Sequence, residues 1–241
     1  MTKNKVDILA IGVHPDDVEL SCSGTILKHI ALGHKVAIVD LTQGELGTRG
    51  SGPIRQQEAD AAAKIMGVSF RENLGMRDGY FAHNETNTKL IISVIRKYQP
   101  SILLANALDD RHPDHGRAAK LVAEASFYAG LIKIVTKLDG DLQSPWRPKA
   151  VYHYIQDNTL HPDFIVDISG FEEKKFESIM AYKTQFFNPN SDEPKTPISS
   201  QAFLDILRGR MQMWGRVIGA DYGEAYNTTR TPGVSDLSLL L

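Results

Sequence analysis

Val6-Asp7-Ile8-Leu9-Ala10-Ile11-Gly12-Val13 runs directly into His14-Pro15-Asp16-Asp17. The first part is a nearly continuous apolar run rich in branched side chains, the pattern of a parallel strand covered on both faces. The turn that follows carries an imidazole and two carboxylates. After it Ile26, Leu27, Ile30 and Leu32 recur at helical spacing, and Gly33 suits a C-cap. A second branched run over 36–41 completes a strand–helix–strand unit, so the His-Pro-Asp-Asp turn falls where a strand hands over to a helix.

The rest of the chain repeats this alternation. Residues 42–53 hold four glycines and a proline, a loop expected to overhang the same edge as the turn and to face substrate. Pro53 suits the first turn of a helix reaching Met66, and Gly67 stops it. Strands are predicted over 69–74 and 101–105, with an amphipathic helix over 87–98 between them. The second of these strands delivers Asp109-Asp110-Arg111-His112-Pro113-Asp114-His115, with a helix over 116–128 beyond. Further strands over 150–155 and 164–168, helices over 170–181 and 199–218, and a polar loop over 187–196 complete the reading. Strands alternating with helices predict one α/β domain over residues 1–241, a Rossmann-like, mostly parallel sheet with helices on both faces. The dinucleotide fingerprint G-x-G-x-x-G is absent after the first strand, where carboxylates stand in place of a phosphate-binding glycine turn.

Composition narrows the function. With 241 residues and 42% hydrophobic content, one large core is expected. A formal net charge of -2 and a pI near 6.4 give no general basic field for nucleic acid, which leaves a small molecule as the expected partner. The single Cys22 forms no internal disulfide. Met1-Thr2-Lys3-Asn4-Lys5 leads into the first strand without a signal-peptide core, and no apolar run approaches the ~20 residues of a membrane helix. A cytoplasmic protein that does not bind membranes is expected, and a homo-oligomer is compatible with the sequence.

His14-Pro15-Asp16-Asp17 has an echo in His112-Pro113-Asp114-His115. Taken singly, Asp16 or Asp17 reads as a helix N-cap and a lone His as structural. Recurrence at two strand ends is different, because it gathers three imidazoles and three carboxylates at the sheet edge where α/β proteins bind ligands. Nitrogen and oxygen donors of this kind suit borderline cations such as zinc, which points to a mononuclear metal hydrolase. A non-catalytic metal- or sugar-binding protein would not need Asp16 beside an open coordination position. A two-metal phosphoesterase would need more ligands than these motifs contain.

The two motifs resemble the paired motifs of the LmbE-like, PIG-L superfamily of zinc-dependent N-acetylglucosaminide deacetylases. Further matches are Gly44-Glu45-Leu46-Gly47-Thr48-Arg49-Gly50, Arg55, Asn73-Leu74-Gly75-Met76-Arg77-Asp78-Gly79, Tyr182-Lys183-Thr184-Gln185 and Tyr222-Gly223-Glu224-Ala225. The likeness spans nearly the full chain. It implies one zinc ion per chain on His14, Asp17 and His115, with Asp16 as general base. It also implies His112 as a protonated imidazole at the oxyanion, Asp114 orienting it, and Arg55 and Asp78 on glucosamine hydroxyls. At its finest the resemblance is to the branch that deacetylates N-acetylglucosaminyl-malate in bacillithiol biosynthesis, with another N-acetylglucosamine conjugate or a chitooligosaccharide as the alternative substrate. Arg49 and Arg111 are candidates for an anionic aglycone, since guanidinium pairs bidentately with carboxylates. Glu45, Tyr182, Lys183 and Gln185 receive no definite role.

Overall fold

Side chains alternate across a strand, so each strand of a doubly covered sheet must be apolar on both faces. In β1 (Ile8–Gly12) every residue is buried. Leu9 and Ile11 pack into one core layer, Ile8 and Ala10 into the other. The computed structural model describes residues 4–240. Met1, Thr2 and Lys3, expected to lead into the first strand, lie outside the described residues.

Chain order continues with α1 (Asp17–Ala31), β2 (Val36–Thr42), α2 (Gly52–Met66), β3 (Phe70–Met76), α3 (Glu85–Tyr98), β4 (Ile102–Ala105) and α4 (Pro113–Ala129). Then come β5 (Lys137–Leu138), β6 (Asp141–Leu142), β7 (Ala150–Tyr154), β8 (Phe164–Asp167), α5 (Glu172–Met180), α6 (Gln201–Val217) and β9 (Gly223–Thr228). The central sheet runs β3-β2-β1-β4-β7-β9-β8. The pairings from β3 to β7 are parallel, and β9 lies antiparallel between β7 and β8. Ile91 and Ile95 of α3 and Leu121 and Val122 of α4 cover the Leu9 face. Val18, Cys22 and Ile26 of α1 cover the Ile8 face, and α2, α5 and α6 pack around Ile168 on a neighbouring apolar cluster. The expected α/β class, with a mostly parallel sheet and helices on both faces, is the observed one.

Several elements depart from expectation. The β5–β6 hairpin forms its own two-stranded sheet, and β9 is visible in the sequence only as a motif, because Glu224 interrupts its apolar pattern. The helix expected from residue 116 starts at Pro113 instead, with His112 as its N-cap. Proline suits that first position, and Asp114 follows it in the dipole-favoured first turn. Asp114 and His115 therefore belong to a helix end and not to a loop.

A buried ion pair engages α1 in mid-helix. Glu224 of β9 accepts the backbone N–H of Gly24 at 2.9 Å and of Thr25 at 2.7 Å. In a regular helix those groups donate to the carbonyls of Leu20 and Ser21. Lys175 of α5 donates to the Leu20 carbonyl at 2.8 Å and to Glu224 at 2.6 Å. A Cβ on residue 24 would sit 2.9 Å from the Glu224 carboxylate and 2.6 Å from Ile168 Cδ1, so this crossing requires Gly24. Among the described residues no helix is long and apolar enough to cross a membrane.

Candidate active site

The segments leaving β1, β3, β4 and β7 at their carboxyl ends meet in a cleft of about 430 Å³. A row of polar groups runs along it in the order of the strands. Asp78 Oδ1 lies 2.9 Å from His14 Nε2, and His14 Nδ1 lies 3.8 Å from Asp17 Oδ2. Asp17 Oδ1 lies 3.2 Å from His115 Nε2, and the carboxylate of Asp110 holds His115 Nδ1. All of these residues line or underlie the sheet edge that the two sequence motifs mark.

Local hydrogen bonds fix the row. Asp17 Oδ2 accepts the N–H groups of Val13 and His14, both at 3.0 Å, and the amide of Asn106 at 2.9 Å. Its Oδ1 accepts from Gln156 at 2.9 Å. Asp16 occupies the N-cap position of α1 but makes no side-chain cap bond. Its φ of 120° is in the left-handed region. Such backbone costs a non-glycine residue roughly 1–3 kcal/mol and is characteristic of functional sites. The Arg55 guanidinium reaches across to Asp16 Oδ2 at 2.8 Å and also donates to the Pro15 carbonyl. Gly44, with φ of 63°, leaves room for it, because a Cβ there would collide with that guanidinium.

The electrostatics follow from burial and an excess of carboxylate. Burial raises Asp16 to about 7 against the opposing charge of Arg55. Burial opposes a charge on His14, yet Asp114, Asp78 and Asp17 raise it to about 9. Burial likewise opposes a charge on His115, and Asp17 and Asp110 raise it to about 10. Asp17 stays well below the usual carboxylate range despite burial, held there by the imidazoles of His115 and His14. Burial, with the charges of His14 and His115, lowers His112. The surrounding carboxylates thus favour a proton on His14 and on His115, while His112 is disfavoured as a cation.

The donor set fits a divalent cation. His14, His112 and His115 bring ligand atoms within 4.8 Å of one another, as do His14, Asp78 and Asp114. The trio expected from the resemblance, His14, Asp17 and His115, shares two members with the first group, and Asp17 lies against both imidazoles. Asp110 on His115 Nδ1 leaves Nε2 turned to the cleft, the carboxylate–imidazole arrangement that orients metal-ligating histidines.

The other expected site residues are distributed unevenly. Arg55, Asp78, Arg111 and His112 line the cleft beside His14, Asp16, Asp17 and His115. Asp78 is engaged by His14 and by the N–H of Leu46. The structure departs from the expected contact between Asp114 and the His112 ring. The Asp114 carboxylate accepts from the Gly79 N–H at 2.9 Å and from Arg117 at 2.9 Å, and its own backbone N–H donates to His112 Nδ1. Arg49 is drawn away from the cleft by Glu193, Ser191 and the carbonyl of Gln185. Arg111 is paired with Asp157.

Other residues have no role legible in the sequence. Asp110 stands five residues before His115 in the quoted loop, a signal present in the sequence. Asn106 and Gln156 sit at the ends of β4 and β7, where an amide side chain carries no motif. Glu45 accepts the Asp78 N–H at 2.8 Å. Gln185 lines the cleft and donates to the Arg49 carbonyl. Tyr182 is buried in the core, and Lys183 is exposed.

Residues 9–126 match the PIG-L family model, described as GlcNAc-PI de-N-acetylase. The chain is 32% identical to diacetylchitobiose deacetylase of Thermococcus kodakarensis over 74% of its own length and 70% of the relative's. It is 24% identical to probable N-acetyl-alpha-D-glucosaminyl L-malate deacetylase 2 of Bacillus anthracis, over 76% of this chain and 83% of that one. A conserved protein of Thermus thermophilus of known crystal structure superposes with a TM-score of 0.83 at 31% identity, covering 95% of this chain and 97% of that one. The chain belongs to the PIG-L family of deacetylase enzymes.

Proposed function

We propose that the protein is a metal-dependent hydrolase that removes the N-acetyl group from an N-acetylglucosaminide, with a neutral chitooligosaccharide of the diacetylchitobiose type as its substrate. The observation that carries this reading is the buried row Asp78–His14–Asp17–His115 with Asp16 beside it at the carboxyl edge of the sheet. Held by His14, Asp17 and His115, a zinc ion would supply Lewis-acid polarisation of the acyl carbonyl and acidify water to a pKa of about 7. Asp16, poised near neutrality, takes the proton of the attacking water. His112 accepts the Asp114 N–H on Nδ1, which assigns the proton of the neutral ring to Nε2. That N–H is the donor for the developing oxyanion. Arg55 and Asp78 meet the sugar hydroxyls.

Charge pairing in the cleft wall bears on the aglycone. Arg49 is countered by Glu193 and Arg111 by Asp157, so neither guanidinium waits for a substrate carboxylate. A neutral disaccharide suits this arrangement, and the more similar of the two deacetylases compared is the one that acts on diacetylchitobiose. N-acetylglucosaminyl-malate is the second reading, favoured by the place of Arg111 in the cleft wall.

Acetate release from N,N'-diacetylchitobiose by zinc-loaded protein, abolished by chelation and restored by zinc, is the expected result. Absence of acetate from every N-acetylglucosaminide tried would overturn the reading. Arg111→Ala should change kcat/KM for the neutral disaccharide by less than about fivefold, the limit for an exposed ion pair. A much larger loss confined to the malate conjugate would return the malate reading to first place.

A further inference from the structure

Beyond His115 the cleft opens into a second, largely apolar recess of about 150 Å³. Leu20, Ile198, Phe203, Ile206 and Leu207 make its apolar wall, α6 supplying three of these, and Arg111, Asp157 and Arg210 complete the lining. It shares Leu20, Arg111, His115, Gln156 and Ile198 with the cleft but neither Asp78 nor Tyr80. It therefore lies at the β7 end of the polar row, opposite the Asp78 end.

A substrate laid along that row has only one direction for each of its parts. With glucosamine hydroxyls at Arg55 and Asp78, and the amide carbonyl among His14, Asp17 and His115, the carbon chain attached to the carbonyl points away from the sugar. That direction leads past His115 and Gln156 into the recess. An acetyl group ends at its mouth, so the apolar lining has nothing to cover.

We propose that this recess is an acyl subsite, and that the protein hydrolyses N-acyl glucosaminides whose alkyl chain is longer than acetyl. The inference rests on the deacylase reading above. In the reaction water adds to the acyl carbonyl, the C–N bond breaks, and the products are the chain's carboxylate and the free glucosamine amine. Each methylene buried in the recess is expected to raise kcat/KM about fourfold until the space is filled.

The test is amine release from one sugar carrying N-acetyl, N-butyryl or N-hexanoyl, with the N-acetyl octyl glycoside run beside them. Wild type should favour butyryl over acetyl by roughly tenfold or more. Ile206 is 63% exposed, so its replacement does not threaten the core. Ile206→Asp, which puts a carboxylate into the apolar part of the wall, and Ile206→Trp, which fills the space, should both bring the butyryl-to-acetyl ratio to about one or below. Butyryl at least tenfold poorer than acetyl in wild type would overturn the subsite, as would a ratio that neither variant moves. A gain on the octyl glycoside alone would overturn it too, since the recess would then serve the aglycone. No release from any of these compounds would instead overturn the deacylase reading itself, and this inference with it.

Discussion

Asp16→Asn is expected to lower kcat at least ~10²-fold while the zinc content of the loaded protein stays unchanged. The substitution is nearly isosteric. Asparagine tolerates the left-handed backbone that residue 16 adopts at φ of 120°, and its carbonyl oxygen can still accept from Arg55. What it removes is the ability to accept a proton. Helix α1 loses no cap, because Asp16 makes no side-chain cap bond. Near-normal turnover would eliminate the general-base role. Loss of zinc with loss of turnover would assign Asp16 to the metal instead.

Lys175→Met is expected to destabilise the protein by about 3–5 kcal/mol, the range for removing one partner of a buried ion pair. Lys175 and Glu224 are 1% and 3% exposed, and the substitution strands the Glu224 carboxylate and the Leu20 carbonyl together. Adding Glu224→Gln should recover part of the loss, since a neutral amide needs no counter-charge. Urea unfolding reads both effects as a shift in midpoint at constant slope. A loss below about 1 kcal/mol in the single variant, or further loss in the double one, would show that the pair contributes little.

What the sequence made legible and what it hid separate along physical lines. The run ending at Val13 was readable because a strand covered on both faces must be apolar at every position. The cluster of His14, Asp16, Asp17, His112, Asp114 and His115 was readable because ligand-type side chains recurred at two strand ends, while the choice of ligands among them came only from the family resemblance. Asp78 and Arg55 do line the cleft wall, though their contacts to His14 and Asp16 have no signature in spacing. Arg49 looked free because the residue that neutralises it, Glu193, stands 144 positions away in a loop that reads only as polar. Likewise β9 was missed because its buried Glu224 finds Lys175 from another element. Long-range charge pairing leaves no periodicity, so it is invisible until the fold brings the partners together.

The crossing at Gly24 also bears on the order in which the chain becomes native. Gly24 and Glu224 are 200 residues apart, so the helix that carries Asp16 and Asp17 at its start emerges from the ribosome long before the strand that completes it. Synthesis proceeds at about 5–20 residues per second, which leaves an interval of roughly 10–40 s before Glu224 can reach the Gly24 and Thr25 amides. Contacts of such separation close late and slow folding. A chain truncated before β9 keeps both His-Pro-Asp motifs but lacks the Glu224 contacts that tie α1 to α5, and it is expected to show no activity.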